Sequence, residues 1–232
     1  MTKREGGYSA ESVGTDNPDY HPKSAILSAE IGVQFQSGIQ SGAFLFHVYH
    51  DHTVVVTDLR GVSLGRVNCG SASKGEVHLS KCGRYFGFCG DSPELRVWTI
   101  VFKSGIFVEV KRLPSLCGHK AKITSFCFSP DSTRILTLSL DDVFKVWNMD
   151  VDWLHGHPPQ EIISFANSFG AIDSLTISPD NLVVAAMSLN NLTCFALGDQ
   201  TNKFVIEKVF NGKILCLEFD PSSNFIAITG DK

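Results

Sequence analysis

The chain is poor in charge: Asp, Glu, Lys and Arg make up 19% of its 232 residues while 43% are hydrophobic, against roughly a quarter charged in an average soluble domain. That balance excludes intrinsic disorder over most of the length. The net charge is −4 and the pI about 6.0, and no block of five or more basic residues occurs. A nucleic-acid binder driven by bulk charge is therefore excluded, and any RNA contact has to be local. Long apolar runs are missing as well. The most extended uncharged stretches, around 31–49 and 182–198, are interrupted by Gln, Asn, Ser and Gly and do not read as membrane spans. The start, Met1-Thr-Lys-Arg-Glu-Gly-Gly, places no apolar segment behind its basic residues and does not read as a signal peptide. The seven cysteines are odd in number and none forms a CxxC pair, so neither a disulfide framework nor a zinc ribbon is signalled, and a reducing compartment is expected.

No window carries a ten-residue helical stripe. After residues 1–22, rich in Gly, Ser, Asp and Pro and read as a flexible or irregular segment, short apolar runs alternate with turn-forming clusters. Examples are Thr53–Asp58, Tyr85–Cys89, Ile123–Phe128, Ile135–Ser139 and Leu182–Met187. This texture predicts an all-β fold. A turn punctuation recurs after an apolar strand at Phe35-Gln36-Ser37-Gly38, Leu79-Ser80-Lys81-Cys82-Gly83, Phe128-Ser129-Pro130-Asp131, Ile177-Ser178-Pro179-Asp180 and Phe219-Asp220-Pro221-Ser222. Equivalent positions 36, 80, 129, 178 and 220 are separated by 44, 49, 49 and 42 residues, close to the roughly 40 to 45 of a four-stranded blade in a radial repeat. Blades are expected at about 23–66, 67–111, 112–166 and 167–208, with an incomplete fifth at 209–232.

The third unit reads most clearly: Gly118-His119, the strand Ile123–Phe128, the turn Ser129-Pro130-Asp131, the strand Ile135–Ser139, the tight turn Asp141-Asp142 and the strand Val143–Trp147. It resembles a WD repeat, with Trp147-Asn148 standing where the family has Trp-Asp. The resemblance implies a β-propeller and a buried hydrogen-bond relay formed by His119, Thr137 (or Ser139), Asp141 and Trp147. Buried carboxylate, imidazole and indole groups each need such a partner. The other units depart from the pattern: Ser92 stands six residues before Trp98, Asp51 six before Thr57, and Phe195 takes the Trp position opposite Leu189 at the Asp position. The run Lys81–Trp98, with Val101–Phe107, Gly118-His119 and Trp147–Asp152, is similar to the transducin beta-like family. That resemblance implies a seven-bladed propeller behind an amino-terminal anchor in the endoplasmic reticulum membrane. It also implies stress signalling through a kinase that phosphorylates a translation initiation factor. A fifth blade that stops at Gly230-Asp231 leads to the expectation that these residues are a fragment of a larger ring. The expected location is then the cytosolic face of the endoplasmic reticulum, or the cytoplasm without an anchor, with no membrane contact from this chain itself.

Candidate chemical sites are few. Gly61-Val62-Ser63-Leu64-Gly65 matches a hydrolase nucleophile elbow built on Ser63, but the elbow must lead into a helix and Arg66–Gly75 is too rich in Gly and Ser for one. His47, His50 and His52 cluster with Asp51. Alternation would put His50 and His52 on one strand face, yet no further ligand stands at zinc spacing, so a hairpin turn with solvated histidines is expected and no metal. A catalytic triad from His119, Asp141 and a strand hydroxyl lacks an exposed nucleophile and an oxyanion hole. Asn191-Leu-Thr193 is a glycosylation sequon on an expected strand, read as unmodified. Trp153, in the connection Asp150–Pro159, is a candidate partner contact. Lys203, Lys208 and Lys213 beside Phe204 and Phe210 support an alternative, an RNA- or ribosome-associated propeller. The leading expectation is a non-enzymatic scaffold that binds proteins and uses no cofactor.

Overall fold

A computed structural model describes residues 25–36, 39–73, 75–151, 157, 159–168, 170–188, 191–197, 199–209 and 214–230. Segment 1–22 and Trp153 lie outside the described residues. The fold is all-β, without a helix among the described residues. The first sheet runs in the order β1 (Ile26–Gln36), β2 (Ile39–Tyr49), β3 (Thr53–Thr57) and β4 (Ser63–Asn68). The second holds β5 (Glu76–Leu79), β6 (Tyr85–Cys89), β7 (Glu94–Lys103) and β8 (Ile106–Arg112), and a short β9 (Leu116–Cys117) pairs with β7. Residues 116–117 thus belong by pairing to the second sheet rather than to a third blade beginning at 112. The third sheet comprises β10 (Ile123–Phe128), β11 (Arg134–Ser139), β12 (Val143–Asn148) and β13 (Gln160–Ala166). The fourth comprises β14 (Ser174–Ile177), β15 (Val183–Ser188), β16 (Asn191–Ala196) and β17 (Asp199–Ile206), and the fifth only β18 (Ile214–Phe219) and β19 (Ile226–Gly230). This is an incomplete propeller.

The core lies between the sheets. Apolar cluster one joins Phe46, Val54 and Val67 of the first sheet to Phe86, Trp98 and Ile100 of the second. A second cluster joins Leu95, Val97 and Leu116 to Ile123, Ile135 and Trp147, a third Leu136, Phe144 and Val146 to Leu175, Val184 and Phe195, and a fourth Ala185, Met187 and Leu192 to Leu217 and Phe219. Strand alternation sends successive side chains to opposite faces, so each interior sheet feeds two clusters. Contact is close where Gly87 meets Phe126 of the next sheet: a Cβ there would stand 2.7 Å from the ring.

The repeated punctuation builds one turn four times. The fourth residue donates its N–H to the carbonyl of the first at Gly83→Ser80 (2.9 Å), Ser132→Ser129 (2.8 Å), Asn181→Ser178 (2.9 Å) and Ser223→Asp220 (3.1 Å). Each fourth residue has a left-handed φ, 65° at Gly83, 61° at Ser132, 60° at Asn181 and 63° at Ser223, the geometry of a type I turn closed by a left-handed residue. Consecutive blades are then stitched together through these turns. The Gln34 amide donates to the Gly83 carbonyl at 2.8 Å, the Cys82 N–H to Ser132 Oγ at 3.2 Å, Asn181 Nδ2 to Asp131 Oδ2 at 2.6 Å, and the Asp180 N–H to Ser223 Oγ at 3.2 Å. From the third blade on, the fourth turn residue of one blade binds the third turn residue of the blade before it.

Gly83 tests this arrangement. A Cβ there would lie 3.1 Å from the Val33 backbone at φ 65°. Replacing Gly83 by Ala is expected to lower unfolding stability by about 1–2 kcal/mol, the usual cost of a left-handed non-Gly residue, measured by urea denaturation.

Candidate functional site: a buried relay and an open loop face

The entry loop before β10 and the hairpin between β11 and β12 bring four polar side chains together. Trp147 Nε1 donates to Thr137 Oγ1 at 2.9 Å, and Thr137 Oγ1 stands 2.8 Å from His119 Nε2. His119 Nδ1 lies 3.2 Å from both Asp141 carboxylate oxygens. In the neutral tautomer every donor is used in one direction: indole N–H to hydroxyl, hydroxyl to Nε2, Nδ1–H to carboxylate. Thr137, and not Ser139, is the hydroxyl of this relay. Ser139 Oγ donates to the Ala121 carbonyl at 2.8 Å and accepts the Asp141 N–H at 3.2 Å. Burial holds the His119 pKa below the ordinary histidine value, outweighing the opposing pull of Asp141. Burial pushes Asp141 upward, but the Lys120 N–H and the His119 ring more than compensate and leave its carboxyl below the usual range. Thr137 is fully buried, so the relay holds loop to sheet and offers no nucleophile.

Part of the same device recurs in the first blade with its roles exchanged. Asp51 Oδ1 accepts the Thr53 N–H at 3.0 Å as Asp141 Oδ1 accepts the Val143 N–H at 3.1 Å. Thr57, at the Trp position, bonds His47 Nε2 at 3.1 Å, and His47 takes the place of Thr137. His50 and His52 do not share a strand face: both fall in the turn after β2, where His52 has φ 58°. Nor is His52 solvated, since it is buried with its ring 5.2 Å from that of Phe88. Among the described residues no three His, Cys, Asp or Glu side chains converge as metal ligands.

Ser63 opens β4, after the turn in which Gly61 and Val62 bond Asp58, so a strand follows where an elbow requires a helix. Burial pushes the thiols of Cys89 and Cys127 up to about 12, which keeps them protonated. Asn191 opens β16 and accepts the Lys208 N–H at 3.1 Å, while Thr193 is buried. Lys203, Phe204 and Lys208 are exposed, and Phe210 and Lys213 lie outside the described residues. The inner strands β1, β5, β10, β14 and β18 line a cavity of about 450 Å³ with Glu30, Glu76, His78 and Glu218 on its walls, and Lys81 and Glu218 pair at 3.0 Å from blades two and five. The loop face that carries the stitched turns was not visible in sequence. It exposes Leu59, Val62, Ile106, Leu182 and Phe225.

Radial four-stranded sheets, stitched turns and the Trp-Thr-His-Asp relay define a WD-repeat β-propeller, and the WD domain, G-beta repeat family is matched by residues 110–148. Over its whole length the chain is 32% identical to "Transducin beta-like protein 2" of Homo sapiens, covering 51% of that protein, and 32% identical to the Mus musculus protein of the same name, covering 52%. A bromodomain and WD repeat-containing protein of Dictyostelium discoideum is 27% identical over 135 residues, 56% of this chain and 6% of that one. The chain is a WD-repeat protein that resembles transducin beta-like protein 2, and it spans about half the length of those relatives.

Two outcomes follow from the relay. Thr137→Val keeps the shape but strands the Trp147 N–H and His119 Nε2 in the core. A loss of about 2–4 kcal/mol is expected, from two buried groups at roughly 1–3 kcal/mol each, seen as a lower chemical denaturation midpoint. The folded His119 pKa lies below its unfolded value of about 6.5, so the unfolded chain binds the proton first. Stability therefore falls as pH drops below about 6.5, and the depressed Asp141 pKa adds a further loss through the carboxylate range. His119→Asn is expected to flatten the upper limb of a stability-against-pH curve and to shrink the lower one, because Asp141 keeps the Lys120 N–H but loses the His119 ring.

Proposed function

We propose that this chain is a non-enzymatic scaffold that binds proteins through its stitched loop face. WD40 domains generally mediate protein–protein interaction. The observation that carries the reading is that exposed Leu59, Val62, Ile106, Leu182 and Phe225 all stand at turns of one face, on loops anchored by the sheets beneath them. Exposed large apolar side chains are what a partner's contact would cover, and prior ordering lowers the cost of binding.

The resemblance to the transducin beta-like family supports a finer reading. In it the chain acts at the cytosolic face of the endoplasmic reticulum in the unfolded protein response, with a stress kinase as one partner. An RNA-contacting reading rests on exposed Lys203, Phe204 and Lys208. It is the weaker of the two, because exposed Glu207 interrupts the set and the chain is acidic overall.

Proximity labelling in cells with Ile106→Asp and Leu182→Asp variants tests the scaffold reading. Both variants are expected to lose the wild-type partner set several-fold, while Leu140→Asp, exposed on the opposite loop face, keeps it. An unchanged set in the first two, or equal loss in all three, contradicts the proposal.

A further inference from the structure

Two hairpin tips of the loop face stand side by side and differ in charge from the other turns of that face. The first joins β3 to β4 and the second β7 to β8. Beneath them the outer strands are in contact: a Cβ on Gly65 of β4 would lie 3.0 Å from the Phe107 ring and 3.1 Å from Val110 of β8. Leu64, Phe102 and Phe107 pack against the cluster that joins the two sheets, and the Phe102 and Phe107 rings meet edge to face with centroids 5.7 Å apart. At the tips above this half-buried apolar seam, Leu59, Val62 and Ile106 are 62%, 58% and 71% exposed.

Both tips are held by their own backbones. At the first, Asp58 Oδ1 accepts the N–H groups of Arg60 at 2.9 Å and Val62 at 2.8 Å, and the Asp58 N–H donates to the Val62 carbonyl at 2.9 Å. At the second, Lys103 pairs with Ile106 across Ser104 and Gly105, whose φ angles are 51° and 81°. Two left-handed central residues make the two-residue turn whose twist matches its strands. A ligand that lands here therefore has little backbone to order.

The tips carry cations. Arg60 Nε lies 3.2 Å from Asp58 Oδ2, yet the Arg60 side chain is 87% exposed against 22% for the carboxylate, and Lys103 is exposed. Arg84, also exposed, adds a third positive charge on the second blade, where its carbonyl accepts the Ile100 N–H at 2.8 Å. The turns of the third, fourth and fifth blades on the same face carry Asp131, Asp180 and Asp220 instead. An extended acidic chain is drawn to the first region and turned away from the second, which fixes where it lies. A flat anionic lipid surface would meet both regions at once and fits the charge pattern less well.

We propose that the paired tips of blades one and two dock an extended acidic segment of a partner protein, in which Asp or Glu residues alternate with large apolar ones. Its carboxylates pair with Arg60 and Lys103, and its apolar side chains cover Leu59, Val62 and Ile106 above the Phe107 seam. This rests on the scaffold reading and narrows it to a partner chemistry and to one part of the loop face.

The test pans displayed random peptides of about twelve residues against the full chain and measures the selected peptides by calorimetry. The expected consensus alternates acidic and large apolar positions. Arg60→Glu combined with Lys103→Glu, and Ile106→Asp alone, are each expected to weaken binding tenfold or more. Raising salt from about 0.1 to about 1 M, which shortens the screening length from roughly 10 to 3 Å, is expected to weaken it several-fold. Both reversed charges are at exposed positions, so that variant keeps the native circular dichroism spectrum, which separates lost binding from lost folding. Failure to select any peptide, a consensus without acidic residues, or undiminished binding to the charge-reversed chain overturns the proposal. Flotation with phosphatidylserine vesicles that the same two substitutions abolish overturns the choice of a protein segment. In proximity labelling, a partner set lost by Leu182→Asp and kept by the charge-reversed chain leaves the scaffold reading standing and overturns this one.

Discussion

Each sheet of this chain carries bulky apolar side chains on both faces, and a face is kept from water only where the next sheet lies against it. Burial of such surface is the main favourable contribution to folding, at roughly 25 cal/mol per Å², so no blade is stable by itself and each depends on its neighbours. The four clusters map one to one onto the four interfaces between consecutive sheets. Burial follows: β6 is buried along its whole length, whereas β19 alternates between partly buried and exposed positions.

Polar groups decide how the sheets are placed once they have been driven together. The apolar contacts are tolerant of sliding, but a hydrogen bond between adjoining turns is not. The links from Gln34 to Gly83, Cys82 to Ser132, Asp131 to Asn181 and Asp180 to Ser223 set the spacing of the blades on one face. On the opposite side of the third blade, the relay from Trp147 through Thr137 and His119 to Asp141 ties the entry loop to the hairpin beneath it. Loops held in this way are presented in fixed positions, which lowers the ordering cost of any contact they make.

What was legible in the sequence was what needs particular residue types. The turns show because a left-handed fourth position and a side-chain acceptor demand Gly, Ser, Asn or Asp, and the third blade shows because its relay kept every member. The outer strands β8, β13 and β17 were not legible, because half-exposed strands such as Gln160–Ala166 carry only weak alternation. The segment at 116–117 was assigned forward because nothing local says that it pairs back to β7. The His47–Thr57 pair was hidden by the exchange of imidazole and hydroxyl between strands, and the stitching between turns was hidden because its partners lie 43 to 50 residues apart. The small polar residues Ser132, Asn181 and Ser223 at one turn position were the available signal for that stitching.

The central claim is that each blade owes its stability to the sheets on either side of it. Native-state hydrogen exchange tests this most directly, because it reports the opening free energy strand by strand. The account predicts slowest exchange in β6 and β11, which lie between two sheets of at least four strands, intermediate rates in β15, covered on one side by only the two-stranded fifth sheet, and fastest exchange in β18 and β19. Uniform protection across all five sheets, or slowest exchange in the fifth, would contradict it.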